Sequence, residues 1–445
     1  MGRGSHSMGV RRLHRQTEVE PSRRKVSDEP SHGNRTNEAY GHRCFPISPS
    51  ALFFFLLFLL ASSFAVYLGN RSPRRLPTSY SLSIYEGDII KSDVGYREIL
   101  NENAKIIFDR SIRHFPNPVL AYITPWNSRG FEVAKEFTSK FTHISPVWYE
   151  LKSHGKKVFL DGRGNVDKGW ISDIRKNGNV LVLPRVVIEA FPADLLLKKK
   201  QWSKACDIIL KECKEMEYDG IVLESWSRWA QYGVLQDPEM RKMGLKFIKR
   251  LGHVMRSVNS AKNDSLHLEL IYVISPPHSQ NFADYDFGPQ DLQELSDSVD
   301  GFSLMTYAFS GPQNPGPNAP LSWIHSSMQL LLGGNNVGGV LSHAHMIFLG
   351  INLYGNDFSL SEAGSGEAIT GRDYLSLLEK YRPVLHWDEK SAEHYFIYSQ
   401  DNLHHAVFYP SLKSIRMRLD EARAWGAGLS LWEIGQGLDY FYELL

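Results

Sequence analysis

The chain has 445 residues, its 50 Lys and Arg nearly balance 49 Asp and Glu, and its formal net charge is +1. With the basic residues scattered, it offers no polyanion-binding face, which excludes nucleic acid as a ligand class. Three cysteines are an odd number. Cys206 and Cys213 stand two helical turns apart, roughly 10 Å by the rise per residue, so the fold does not depend on disulfides.

Residues 1–43 are polar, rich in Arg, Ser, Glu and His, and read as a disordered tail. Phe45 to Gly69 is free of charge, and Ala51 to Leu68 is nearly all apolar. That length just spans a bilayer core of about 30 Å, which predicts a transmembrane signal anchor over residues 44–70. A cleaved leader fits less well, because its apolar region begins near the N-terminus. The basic tail favours a cytosolic N-terminus, hence a single-pass type II protein facing the secretory or endolysosomal lumen or the outside. In that orientation Asn263-Asp264-Ser265 is a usable N-glycosylation sequon, and Cys44 is a juxtamembrane candidate for palmitoylation. Residues 71–117, with Pro73, Pro77 and one helical stretch around Tyr96, read as a stalk.

From residue 118 to 445, short β-rich runs alternate with amphipathic helical stretches, which argues for a parallel sheet with helical crossovers. The runs begin at Val119, His143, Val180, Gly220, His267, Gly301, Ile347 and Gly428. Eight such strands predict an α/β fold of the (β/α)8 TIM-barrel kind. Trp202, Cys206, Ile209, Cys213 and Met216 recur at helical spacing as a core stripe, as do Met240, Phe247, Leu251, Met255 and Val258. Residues 355–409 interrupt the rhythm between the seventh and eighth strands and predict a small α+β insertion. Gly426 closes the helical stretch after Ser411. The Gly-rich patch from Gly333 to His345 reads as a surface loop.

Chemistry concentrates on Tyr218-Asp219-Gly220-Ile221-Val222-Leu223-Glu224-Ser225-Trp226. Both faces of this strand are apolar, as in a buried parallel sheet. Alternation places Val222, Glu224 and Trp226 on one face, with the carboxylate and indole at the C-terminal end, where barrels keep their sites. Trp126, Trp148, Tyr307 and Trp432 also fall at expected C-terminal strand ends. Any one of them suits a core; five aromatics at one rim suit a ligand with flat apolar faces, such as a sugar.

The strand resembles the Asp-Gly-x-Asp-x-Asp-x-Glu strand of the chitinase-type glycoside hydrolases, family eighteen. With Asp219-Gly220 laid on its Asp-Gly, the middle Asp falls on Val222, the last Asp on Glu224 and the acid Glu on Trp226. Leu304-Met305-Thr306-Tyr307 is similar to the family's Met-x-Tyr-Asp strand, with Ala308 in place of the Asp. Leu429-Ser430-Leu431-Trp432 is similar to its last strand, whose Trp forms the floor under the sugar. The runs Tyr122 to Asn127, Ile144 to Trp148, Pro315 to Trp323 and Trp432 to Tyr442 resemble the chitinase-domain-containing subgroup.

The resemblance implies a barrel that binds N-acetylglucosamine-containing, chitin-type oligosaccharides without metal or cofactor. Family members use substrate-assisted hydrolysis, in which a glutamic acid protonates the leaving oxygen. Positioned acid catalysis contributes about 10²–10⁴-fold, and a tryptophan cannot supply it, so binding without hydrolysis is expected. Three other readings stand beside this one. Glu224, one inward position deeper, is the only candidate acid for an active glycosidase. Asp284-Tyr285-Asp286 is the Asp-x-Asp of a type II glycosyltransferase. The third is a protein-binding scaffold with a vestigial cleft. His343 with His345, and His404 with His405, lack the third ligand that a zinc site needs. Glu433 should point away from the cleft and act structurally.

Overall fold

The computed structural model describes residues 89–107, 110–155, 157–260, 266–278, 282–283, 285–333, 341–361 and 364–445. The expected tail and membrane anchor, the first part of the stalk, Cys44, Asn263 and Asp284 lie outside the described residues. Among the described residues, no helix is long and apolar enough to cross a membrane.

Eight parallel strands close into a barrel. They are β1 (Val119–Ile123), β2 (His143–His154), a third strand in two pieces, then β6 (Gly220–Glu224), β7 (Glu269–Ile274), β8 (Gly301–Leu304), β9 (Ile347–Asn352) and β15 (Gly428–Trp432). The two pieces are β4 (Leu181–Val182) and β5 (Arg185–Ile188); they part around Pro184, which has no N–H to give the ladder. β15 pairs with β1 and β1 with β2, so no barrel edge is left open. β2 is longer than its apolar run suggests. It continues past the rim as one arm of an antiparallel hairpin with β3 (Lys157–Asp161), and the polar residues Glu150, Lys152, Ser153 and His154 of that arm hide it from a search for apolar runs.

Inside the barrel, Leu120, Tyr122, Leu183, Val222, Ile271, Val273 and Phe348 form a compact apolar filling. A larger apolar layer lies between the strands and the surrounding helices. The helix Lys199–Met216 buries Trp202, Cys206, Ile209 and Cys213 there, on the stripe expected from spacing. The helix Pro238–Arg256 buries Phe247, Leu251 and Met255. Both cysteines are free.

The Asp-Gly that opens β6 proves to be a joint. Asp219, 1% exposed, accepts from Ser260 Oγ (2.7 Å), Val182 N (2.9 Å) and an Arg175 guanidinium nitrogen (3.2 Å). A Cβ on Gly220 would stand 2.1 Å from the Glu269 carbonyl oxygen, so the β7 backbone passes where a side chain would be.

The insertion between β9 and β15 folds as a five-stranded antiparallel sheet. Its strands are β10 (Gly355–Ser359), β11 (Ser365–Ile369), β12 (His386–Asp388), β13 (Glu393–Gln400) and β14 (Leu403–Phe408), ordered β11-β10-β14-β13-β12. The helix Gly371–Tyr381 begins at a reciprocal cap between Thr370 and Asp373. Glu393 ties this sheet to the barrel: its carboxylate accepts from Asn318 N (2.9 Å), Ala319 N (2.7 Å) and Arg418 (3.0 Å). Arg418 belongs to the helix Leu412–Trp425, which Ser411 caps and Gly426 ends in the left-handed conformation.

Candidate functional site

The strand ends bring a small polar and aromatic group together at the barrel mouth. In register, β5 sets Arg185 opposite Val222, which lies in the barrel filling, so Arg185 points inward. Glu224, two residues beyond Val222, shares that face. The two form an ion pair, each only 9% exposed. The guanidinium carbon lies 4.8 Å from the centre of the Trp432 ring and 5.6 Å from that of Tyr122. Tyr122 packs at 5.2 Å from Trp432, and Tyr307 lies near-parallel to the same indole at 6.4 Å. Burial lowers the proton affinity of Arg185, and burial also pushes the Tyr307 hydroxyl well above its ordinary range. Tyr122 O–H is satisfied by Ser303 Oγ at 2.9 Å. Arg185 Nε has no hydrogen-bond partner among the described residues.

Arg185 is the site residue that sequence reasoning missed. Its signal was a single charge inside the apolar run that begins at Val180, a buried cation in need of a buried partner. Glu224, for its part, is held by Arg185 and by Ser227 Oγ (3.0 Å).

Two of the expected rim aromatics are elsewhere. β6 ends at Glu224, and Ser225 starts a helical turn, Trp226–Gln231, so alternation stops before Trp226. Trp226 swings into the outer layer, 2% exposed, where its N–H donates to Tyr285 O (2.9 Å) and Arg241 lies 4.8 Å over its ring. It does not share the face of Val222 and Glu224. Trp148 follows inward-facing Val147 and so turns outward, packing on Phe131, Trp170 and Tyr218. Trp126 is 69% exposed and borders an open cleft of about 420 Å³ with Val147, Trp148, Glu150, Asp161, Asn165 and Val187, so Trp148, though packed outward, still lines the edge of that cleft. The mouth therefore gathers Trp432, Tyr307, Glu224 and Arg185, with Trp126 on the adjoining cleft.

The weaker motifs resolve into local structure. Asp286 accepts from His278 Nδ1 (2.6 Å) and Ala283 N (2.9 Å), which organises its own loop. His405 Nδ1 bonds Asp357 (2.9 Å) and His404 Nδ1 bonds Ser399 (2.9 Å), both within the inserted sheet.

Glu433 is fully buried and accepts from Asn127 Nδ2 (2.6 Å) and Gly435 N (2.9 Å), tying the last strand to the first crossover helix. Burial pushes its carboxyl from 4.5 up to about 7. Between those values the folded chain keeps a proton that the unfolded chain has released, so stability falls by roughly 3 kcal/mol as pH rises from 4.5 to 7. His394 works the other way. Burial lowers it to about 4, so stability rises with pH between 4 and 6.5. The wild-type melting temperature should thus be nearly level from pH 4.5 to 6.5, whereas Glu433→Gln should leave a visible rise. Thermal melts across that range decide it, and superimposable profiles would show that Glu433 is ionised throughout.

The sequence profile of the family described as Glycosyl hydrolases family 18 matches residues 119–437. Among solved structures, a chitinase from Chromobacterium violaceum aligns with 74% of this chain and 97% of its own, at 20% identity and a TM-score of 0.59. The spore cortex-lytic enzyme SleL of Bacillus megaterium aligns with 74% of this chain and 73% of its own, at 15% identity and 0.59. A variant of the family 18 chitinase of Cycas revoluta, solved in complex with (GlcNAc)4, aligns with 73% of this chain and 97% of its own, at 15% identity and 0.58. At these identities the likeness is one of fold.

Proposed function

Because the chain belongs to family 18 of the glycosyl hydrolases, we propose that its barrel mouth binds N-acetylglucosamine-containing glycans and does not hydrolyse them. The observation that carries this is the state of β6. Its one inward carboxylate at the C-terminal end, Glu224, is ion-paired with Arg185, and Trp226, at the position of the family acid, is folded away. A general acid must hold a proton and reach the leaving oxygen. A carboxylate engaged by a buried guanidinium is not placed to present a proton to that oxygen. The aromatic group around Trp432, together with exposed Trp126, supplies flat surface for sugar rings without any chemistry. The complex of the Cycas chitinase with a tetrasaccharide supports the ligand class by analogy.

Incubation with chito-oligosaccharides, with products separated by chromatography, is the direct test. No turnover is expected against a background that a true chitinase exceeds by orders of magnitude. Turnover that disappears in Glu224→Gln would instead make the protein a glycosidase with Glu224 as its acid.

A further inference from the structure

The indole that would floor a sugar is already covered. Arg185 lies 4.8 Å over the Trp432 ring, presents its charge to Glu224, and is itself more than nine-tenths buried. A sugar ring cannot stack on that indole until the guanidinium leaves. When it leaves, Glu224 remains as a buried carboxylate without a cation, which is costly unless the incoming group replaces the charge. An acetamido group is neutral and does not. A protonated amine on a pyranose ring does both jobs of Arg185 at once: the ammonium pairs with Glu224 and the apolar ring face rests on Trp432.

From this exchange, and resting on the glycan-binding reading above, we propose that the innermost sugar admitted at the mouth is an amino sugar with a free ammonium. The ligand class is then a de-N-acetylated or partly de-N-acetylated glucosamine oligomer rather than fully acetylated chitin. Val187 lies two residues along β5 from Arg185, on the same face, and borders the open cleft beside Trp126. The displaced Arg185 side chain therefore has solvent-accessible space next to its buried position. Glu224 is the specificity-determining residue in this scheme, and Arg185 is the occupant that a ligand must match.

Calorimetry at pH 6 with two probes, the glucosamine trimer and the fully acetylated trimer, tests the proposal on full-length protein. Wild type should bind the glucosamine trimer at least about tenfold more tightly than the acetylated one. Glu224→Gln should reduce that preference to within about twofold, because the charge that reads the ammonium is gone. Arg185→Met should keep the preference and tighten the glucosamine trimer further. The double variant Arg185→Met with Glu224→Gln removes both charges, keeps a neutral interior if the single change fails to fold, and should show no preference. A tighter acetylated trimer in wild type, or a preference that survives Glu224→Gln, overturns the proposal while leaving glycan binding intact. Failure of both trimers to bind wild type and the double variant removes the glycan reading itself, and this proposal with it.

Discussion

Replacing Arg418 by alanine is expected to destabilise the fold by about 3–5 kcal/mol, the range for breaking a buried ion pair from one side. Arg418 is 3% exposed and serves two ends of the structure at once. Its guanidinium donates to Glu393 of β13, to the carbonyls of Ala392 (3.0 Å) and Ser391 (3.3 Å) beside it, and to the Ala319 carbonyl in the loop before the helix Leu321–Leu332. Glu393 in turn holds the Asn318 and Ala319 amides. Alanine strands a carboxylate and several carbonyls away from water, each of which then lacks the donor it had. Thermal or denaturant melts report the loss. A change below about 1 kcal/mol would mean that water reaches Glu393 and screens it. A double change to apolar residues at 393 and 418 should recover only part of the difference, since it removes the stranded charge but leaves the Asn318 and Ala319 amides and the Ala319 and Ala392 carbonyls without these partners.

The second large effect is on binding. Trp432→Ala should weaken binding of an N-acetylglucosamine oligomer by at least about tenfold, since truncating a well-packed aromatic contact costs on the order of 2 kcal/mol, or about thirtyfold. The structure adds a reason beyond the lost ring. Tyr122, Tyr307 and Arg185 all pack on this indole, so its removal loosens all three. Tyr307→Phe should be milder, because it deletes one hydroxyl and leaves the near-parallel ring in place. Melting temperatures must accompany the titrations, because an aromatic truncation also creates a cavity. If wild type binds neither the acetylated nor the de-N-acetylated oligomer, or both folded variants bind as wild type does, the mouth is vestigial. Surface contacts with a protein partner then become the function to pursue.

The barrel was legible from sequence because most parallel strands, buried on both faces, are largely apolar runs between helical stripes. Strand ends were not, and the site is made of strand ends. Period-two alternation put Trp226 beside Glu224, but a helix begins at Trp226, capped by Ser225, and alternation has no authority past that cap. Trp148 shows the complementary error: it lies within its strand, yet its face is set by Val147 before it, and an aromatic at the right height was read without its parity. The hairpin arm of β2 carries Glu150 and Lys152 on an exposed rim, so no apolar signal marks it. The partnership of Arg185 with Glu224 depends on the register between β5 and β6, which the chain's local pattern does not contain. What local pattern does contain is the oddity itself, a lone arginine in an apolar run, and such a residue merits a search for its counter-ion.

The insertion has a topological consequence of its own. β10 leaves the barrel at Gly355 and β14 returns beside it, with Asn356 opposite Phe408 and Asp357 opposite Val407. The whole excursion thus departs and re-enters through one doorway, a single strand spacing wide. To the barrel it is equivalent to a tight link, so the entropy of joining β9 to β15 depends little on how many residues lie between. The doorway is a natural place to cut the chain and rejoin it elsewhere: a permutant with new ends inside the excursion would leave all eight barrel strands in their order of pairing.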